Sequence, residues 1–338
     1  MEKDNMKLVF KDVYGLDIYE VNVLAEQGRK KVWGLQTSKG KKVWKRIPSS
    51  NDRAGFMIRV MEYLISKGIK VPRVIKTRFN KNYYLSSQGE IYLLTDWVDG
   101  IKPNFNDHLK EIVITLAKFH KYTAKIEANP SSVFDWRGIW PATYEKRQKR
   151  LSEIKQALRG NNEVSGGLLK SIDYFLKKSK SAANSLENSY YHVWLRRKGA
   201  KTGLCHRDFI PQNLSLTGAG ELCIFDFDTL TMDIPAMDLR KLINTCCKEK
   251  GKWDVEIVKS VVNFYNSVNP LLDREWEVVF IDLMFPHFFY SLLNKYYTES
   301  VQVANYNIER IHETILFEKS KKDMWKDFQD IMGERGEY

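Results

Sequence analysis

From Val21 the chain alternates apolar and polar residues through VNVLAEQGRKKVWGLQTSKGKKVWKRI, with breaks at Gln27-Gly28 and Ser38-Lys39-Gly40. Alternation with turn residues at both breaks predicts a three-stranded antiparallel meander. The pattern then turns helical. Phe56, Met57, Val60, Met61, Leu64 and Ile65 share a face, Asp52 can cap the start, and Lys67-Gly68 with Pro72 beyond ends the run. Short strand patterns follow near Val74-Ile75, Tyr83 to Leu85 and Ile91 to Trp97, before a turn at Asp99-Gly100. Helical spacing returns from Asp107 to Thr123, from Leu168 to Leu186, from Pro235 to Ile243, and over Trp253–Val268, Asp273–Tyr297 and Val303–Phe328. The first thirteen or so residues carry no clear motif, residues 160–167 read as a polar loop, and the tail from Gly333 reads as loose.

One stretch, Leu204 to Leu230, departs from these periodic patterns. Asp208 follows His206 by two residues and Asn213 follows Asp208 by five, in a segment that Pro211 keeps from being helical. Leu214–Leu216 and Leu222–Phe227 flank Thr-Gly-Ala-Gly-Glu and predict a hairpin that returns Asp226 toward Asp208 and Asn213. Asn213 and Asp226 are hard oxygen donors suited to Mg²⁺ beside substrate phosphates, which leaves Asp208 to orient or deprotonate a hydroxyl. H-R-D-x-x-x-x-N followed by a metal-binding aspartate is a phosphoryl-transfer spacing.

These residues, with IFDFD at 224–228 and MDIPAMDLRKLI after it, resemble the aminoglycoside-phosphotransferase branch of the kinase-like fold. DFDTLTMDIPAMDLRKLI, VWKRI and FIDLMFPHFFY narrow the resemblance to the spore-coat CotS family. The resemblance implies an α+β, bilobal fold. Residues 1–98 would form a small N-lobe of five antiparallel strands and one helix, and 99–338 a mostly helical C-lobe carrying the catalytic loop and metal-binding hairpin at 204–230. It implies ATP and Mg²⁺ as cofactors and transfer to a hydroxyl acceptor, or else a catalytically silent kinase-fold component of coat assembly. It also implies other coat proteins as partners, and a place in the mother-cell cytoplasm and the spore coat.

By the same resemblance, Asp208 is the catalytic residue and His206 orders its loop by hydrogen bonding. Asn213 and Asp226 hold metal, Asp228 is an outer ligand, and Asp238 braces the catalytic loop, where a simple helix cap is the other reading. Asp233 holds a turn. Arg207 departs from the small or polar residue common in this branch. Lys45 shares a strand face with Val43 and Ile47, while Lys42, Trp44 and Arg46 point the other way. It pairs the α- and β-phosphates and Glu62, or else snorkels at a sheet edge while Glu62 is solvated. Adenine contacts backbone from Thr95 through Trp97 to Val98. The first turn offers Gly28, with Arg29 or Lys30 for phosphate, and an ordinary hairpin there is equally open. Trp136, Trp140, Tyr144 and Arg147 are candidate substrate contacts set against core packing, and His120 reads as a hydrogen-bonded core histidine.

Composition narrows the classes. With 338 residues, 43% hydrophobic and 13% aromatic, the chain can bury a large interior. A net charge of +12 suits an anionic partner, but no RNA-binding aromatic motif, zinc cluster or basic heptad accompanies it, so nucleic acid ranks last among the partners considered. Cys205, Cys223, Cys246 and Cys247 lack disulfide-framework spacing and suggest a reducing compartment. The N-terminus lacks a signal-peptide core, and the apolar run Val278–Leu293, broken by Asp282, Pro286 and His287, reads as a buried helix rather than a membrane span.

Overall fold

The computed structural model describes residues 3–28, 30–129, 131–159, 166–197, 201–298 and 308–334. Arg29, most of the polar loop at 160–167 and the tail beyond Glu334 lie outside the described residues. The chain forms two compact units, one of residues 1–135 with 208–231 and one of 136–207 with 232–338.

The first unit opens with helix α1 (Lys3–Val9) and a π-helical turn, Phe10–Tyr14, and continues with the meander β1 (Ile18–Gln27), β2 (Lys30–Thr37) and β3 (Gly40–Ile47). Helix α2 (Asn51–Ser66) starts at Ser50, whose side chain accepts the Arg53 N–H, so the cap is Ser50 rather than Asp52. Strands β4 (Tyr84–Leu85) and β5 (Ile91–Asp96) complete a five-stranded antiparallel sheet of order β1-β2-β3-β5-β4. Helix α3 (Phe105–Thr123) and the short strand β6 (Phe134–Asp135) follow.

Trp44 does point away from Lys45, but not to water. It is fully buried against Phe10, Tyr14 and Tyr92, because the N-terminal segment that shows no motif covers this face of the sheet.

The second unit begins with α4 (Trp140–Arg159), α5 (Gly166–Glu187), α6 (Tyr191–Arg196) and strand β7 (Gly203–Cys205). Residues 208–231 belong to the first unit and carry the hairpin β8 (Leu214–Leu216) and β9 (Leu222–Ile224), paired Leu214 to Ile224 and Leu216 to Leu222. Gly100 approaches this hairpin so closely that a Cβ there would lie 2.5 Å from the Leu216 carbonyl oxygen.

Strand β10 (Thr231–Asp233), beside β7, leads back into the second unit and its helices α7 (Ala236–Glu249), α8 (Val255–Asn266), α9 (Asp273–Met284), α10 (His287–Thr298), α11 (Ile308–Ser320) and α12 (Met324–Gly333). Residues 273–297 have the length and apolar composition of a membrane span. They are broken at Pro286 into α9 and α10, and Trp276, Phe280, Phe285 and Phe289 are fully buried in the core.

Tyr144, Asp282, His287, Arg240 and Arg147 form a buried polar network there. The Tyr144 hydroxyl donates to Asp282 Oδ1 at 2.5 Å, Arg240 Nε donates to Asp282 Oδ2 at 3.0 Å, and Arg147 Nη1 lies 2.8 Å from His287 Nδ1. Burial, and then the Arg240 charge, push the His287 imidazole down to about 3, so it is neutral in the fold. Trp140 is buried with its indole N–H on Asp233. Trp140, Tyr144 and Arg147 thus take part in packing and in this network, the reading set against substrate contact.

Candidate active site

Within the first unit, the inward face of the sheet, helix α2 and the segment 212–227 enclose a cavity of about 430 Å³. Its apolar wall includes Val32, Leu93 and Phe225, and its polar end carries Lys30, Lys45, Asn213 and Asp226. Such a volume with few convergent polar groups suits a small-molecule ligand.

The pleat explains the lysines. Val43 and Lys45 alternate onto the cavity face of β3, and Val32, the cross-strand partner of Lys45, shares that face with Lys30 two residues earlier. Lys45 Nζ lies 2.8 Å from Asp226 Oδ1 and 2.7 Å from Asp228 Oδ1, while Lys30 Nζ lies 2.5 Å from Asp226 Oδ2. Burial works to raise the Asp226 carboxyl, but Lys45 and then Lys30 outweigh it and hold it well below the usual carboxylate range. Asp228 is anchored from its backbone side, its carbonyl accepting the Arg53 guanidinium at 2.6 Å, and Arg53 also reaches the Leu230 carbonyl.

The expected pair of Lys45 with Glu62 is not formed. Glu62 is exposed, and α2 meets the cavity through Met57 and Met61. On this helix the face that packs inward is apolar at those positions, so the carboxylates reaching Lys45 come from 226 and 228. Thr95 lines the cavity; the Trp97 side chain lies instead over a separate hollow with Glu20, Leu35 and Lys41, its indole N–H on Asp99.

Asn213 holds the loop. Its side-chain amide donates to the Asp208 carbonyl at 2.9 Å and to Asp208 Oδ2 at 2.7 Å, which commits the NH₂ and leaves the Asn213 carbonyl oxygen as the hard donor. The Asn213 carbonyl oxygen and the Asp226 carboxylate line the same cavity, and hard oxygen donors of this kind suit a divalent cation such as Mg²⁺.

In the second unit, Asp238 accepts the backbone N–H of His206 at 2.7 Å and of Arg207 at 2.6 Å, so its carboxylate braces the chain that leads into Asp208. His206 is buried. The Arg207 guanidinium stacks 4.0 Å over the Trp136 ring. Arg207 and Asp226 are two of the three non-glycine residues with positive φ among those described, at +67° and +59°. Backbone strain of this kind concentrates where a site over-determines its geometry.

Sequence reasoning named Lys30 for phosphate but not its bond to Asp226, which its alternation with Val32 onto the face of Lys45 made legible. It missed Arg53, which carried no signal because its partners are backbone carbonyls distant in sequence.

The model of the phosphotransferase enzyme family matches residues 21–260. The chain is 27% identical over 292 residues to spore coat protein S of Bacillus subtilis (strain 168), covering 84% of this chain and 82% of that one. It is 26% identical over 238 residues to a homoserine kinase of Rhizobium johnstonii, covering 68% of this chain and 64% of the kinase. Its fold is similar to the crystal structure of an aminoglycoside phosphotransferase from Alicyclobacillus acidocaldarius, with a TM-score of 0.75 at 18% identity over 94% of this chain and 92% of that one.

Proposed function

The chain belongs to the phosphotransferase enzyme family, and from that premise we propose that it is an ATP- and Mg²⁺-dependent kinase of a hydroxyl acceptor, working in association with the spore coat. The observation that carries this reading is the meeting, at one end of a 430 Å³ cavity, of two ammonium groups, the Asp226 carboxylate and the Asn213 amide. Adenine occupies the apolar end near Thr95, and Lys45 contacts the phosphates. Asn213 and Asp226 hold Mg²⁺, which when bound neutralises charge on the phosphate oxygens.

Asp208, its Oδ2 fixed by Asn213, orients the acceptor hydroxyl and takes its proton. The hydroxyl oxygen bonds to the γ-phosphorus as the bond to the ADP oxygen breaks. Positioning and charge stabilisation supply the rate. The spore-coat setting rests on the similarity to spore coat protein S, and the kinase reading gains from the similarity to homoserine kinases.

A second reading is a kinase-shaped coat component without catalysis. It is favoured by α2, which meets the cavity through methionines and gives Lys45 no carboxylate. Calorimetric titration of ATP with and without Mg²⁺, on the wild type and on Asp226→Ala, separates the two. Mg²⁺-dependent binding that Asp226→Ala abolishes supports the kinase; a folded wild type that binds no ATP leaves the coat component.

A further inference from the structure

Two lysines, not one, close on the carboxylates at the polar end of the cavity. Lys45 bonds Asp226 Oδ1 and Asp228 Oδ1, and Lys30 bonds Asp226 Oδ2 and lies 3.5 Å from Asp228 Oδ2. Each oxygen of Asp226 thus faces an ammonium group. A divalent cation approaching either oxygen meets a like charge at bonding distance, and such repulsion is strong in a half-buried setting. Phosphate oxygens offer these ammonium groups an alternative partner of the same sign as the carboxylates.

We propose that Lys30 is a second phosphate-binding cation, and that Lys30 and Lys45 cover Asp226 and Asp228 until a nucleotide's phosphates draw them off, so that metal and nucleotide bind as a coupled pair. This deepens the nucleotide reading of the same cavity and rests on it. Two features support it. Lys30 begins β2, its backbone fixed opposite Gln27, while its side chain retains 30% exposure and so has room to move. Helix α2 brings Met57 and Met61 to the cavity and leaves Glu62 exposed, so the helix offers the lysines no competing carboxylate. The cluster exchanges partners without changing its count of charges.

The test uses the full chain, Lys30→Met and Lys30→Arg, with Mn²⁺ alone followed by the resonance of free Mn²⁺, and AMP-PNP in EDTA followed by calorimetry. Lys30→Met is expected to bind Mn²⁺ roughly 10-fold more tightly than the wild type and AMP-PNP roughly 10-fold more weakly, and Lys30→Arg to restore both. Equal Mn²⁺ affinity in wild type and Lys30→Met overturns the covering of Asp226. Equal AMP-PNP affinity overturns the phosphate role. A wild type that binds AMP-PNP neither in EDTA nor with Mg²⁺ overturns the nucleotide reading itself; binding that appears only with Mg²⁺ keeps that reading and overturns the metal-free exchange of carboxylates for phosphates, while the Mn²⁺ comparison still decides whether Lys30 covers the carboxylate.

Discussion

Arg207 sits at a φ of +67°, where a Cβ crowds the following carbonyl and glycine does not. Its guanidinium gains a stack on Trp136, so truncation to alanine loses the stack and keeps the strain. Arg207→Gly loses the same stack and sheds the strain. In chemical denaturation Arg207→Gly should therefore be more stable than Arg207→Ala by about 1 kcal/mol, the reverse of their order in a helix.

Asp233 makes a second residue-level test. Burial pushes its carboxyl up to about 7, against the opposing pull of the Ile234 N–H, the Trp140 indole and Arg207. A folded value above the unfolded one means the folded chain holds a proton that the unfolded chain releases between about pH 4 and 7. The stability this group contributes is full below pH 4 and is lost as pH rises through 7. Asp233→Asn removes the titration. Relative to wild type, it should gain on the order of 3 kcal/mol between pH 4 and pH 8, read from urea unfolding at each pH. A constant difference between variant and wild type would exclude this role.

At the scale of elements, legibility followed periodicity. The meander, α2 and α3 have strong two-residue or helical periods, and each formed as expected, because one buried face fixes register. Trp44 shows where that reasoning stops. Alternation put it on the face opposite Lys45, but nothing in residues 3–14 announced a cover for that face, since a short helix and a π-helical turn carry no sustained period. Phe10 is fully buried against Trp44 at a centroid distance of 4.8 Å. Phe10→Ala should cost about 3–5 kcal/mol and make a tryptophan signal more accessible to a collisional quencher.

The site residues divide the same way. The Asp208–Asn213 contact and the common cavity of Asn213 and Asp226 were readable because five-residue and hairpin spacings are local. Glu62 misled because on an amphipathic helix a one-residue difference turns a side chain by about 100°, and only packing decides which position faces Lys45. Gly100 is an element-level constraint of another kind. A methyl there would meet Ser215 Oγ and the Leu216 carbonyl, against a backbone that pairs Ile101 with Leu216. Gly100→Ala should destabilise by about 1–3 kcal/mol, with lost exchange protection in β8 and β9.

For the whole molecule, the division into units makes the proposed function mappable. The cavity draws its walls from β1–β3, α2, β5 and residues 212–227, all in the unit of residues 1–135 with 208–231. The core of the other unit, around Phe175, Phe289 and Ile315, lies in helices that contribute nothing to that cavity. A ligand that binds only the folded cavity stabilises it by about 2.7 kcal/mol at a hundred times its dissociation constant. With Mg²⁺ and AMP-PNP at that level, hydrogen exchange should slow at residues 30–32, 43–45, 57–61 and 212–227. It should stay unchanged within α5 and α10. Binding driven instead by the net charge of +12 would spread protection over basic surfaces of both units and fade steeply with salt. The exchange map at low and at physiological salt thus distinguishes a built phosphate site from a merely basic chain, independently of which acceptor the protein phosphorylates.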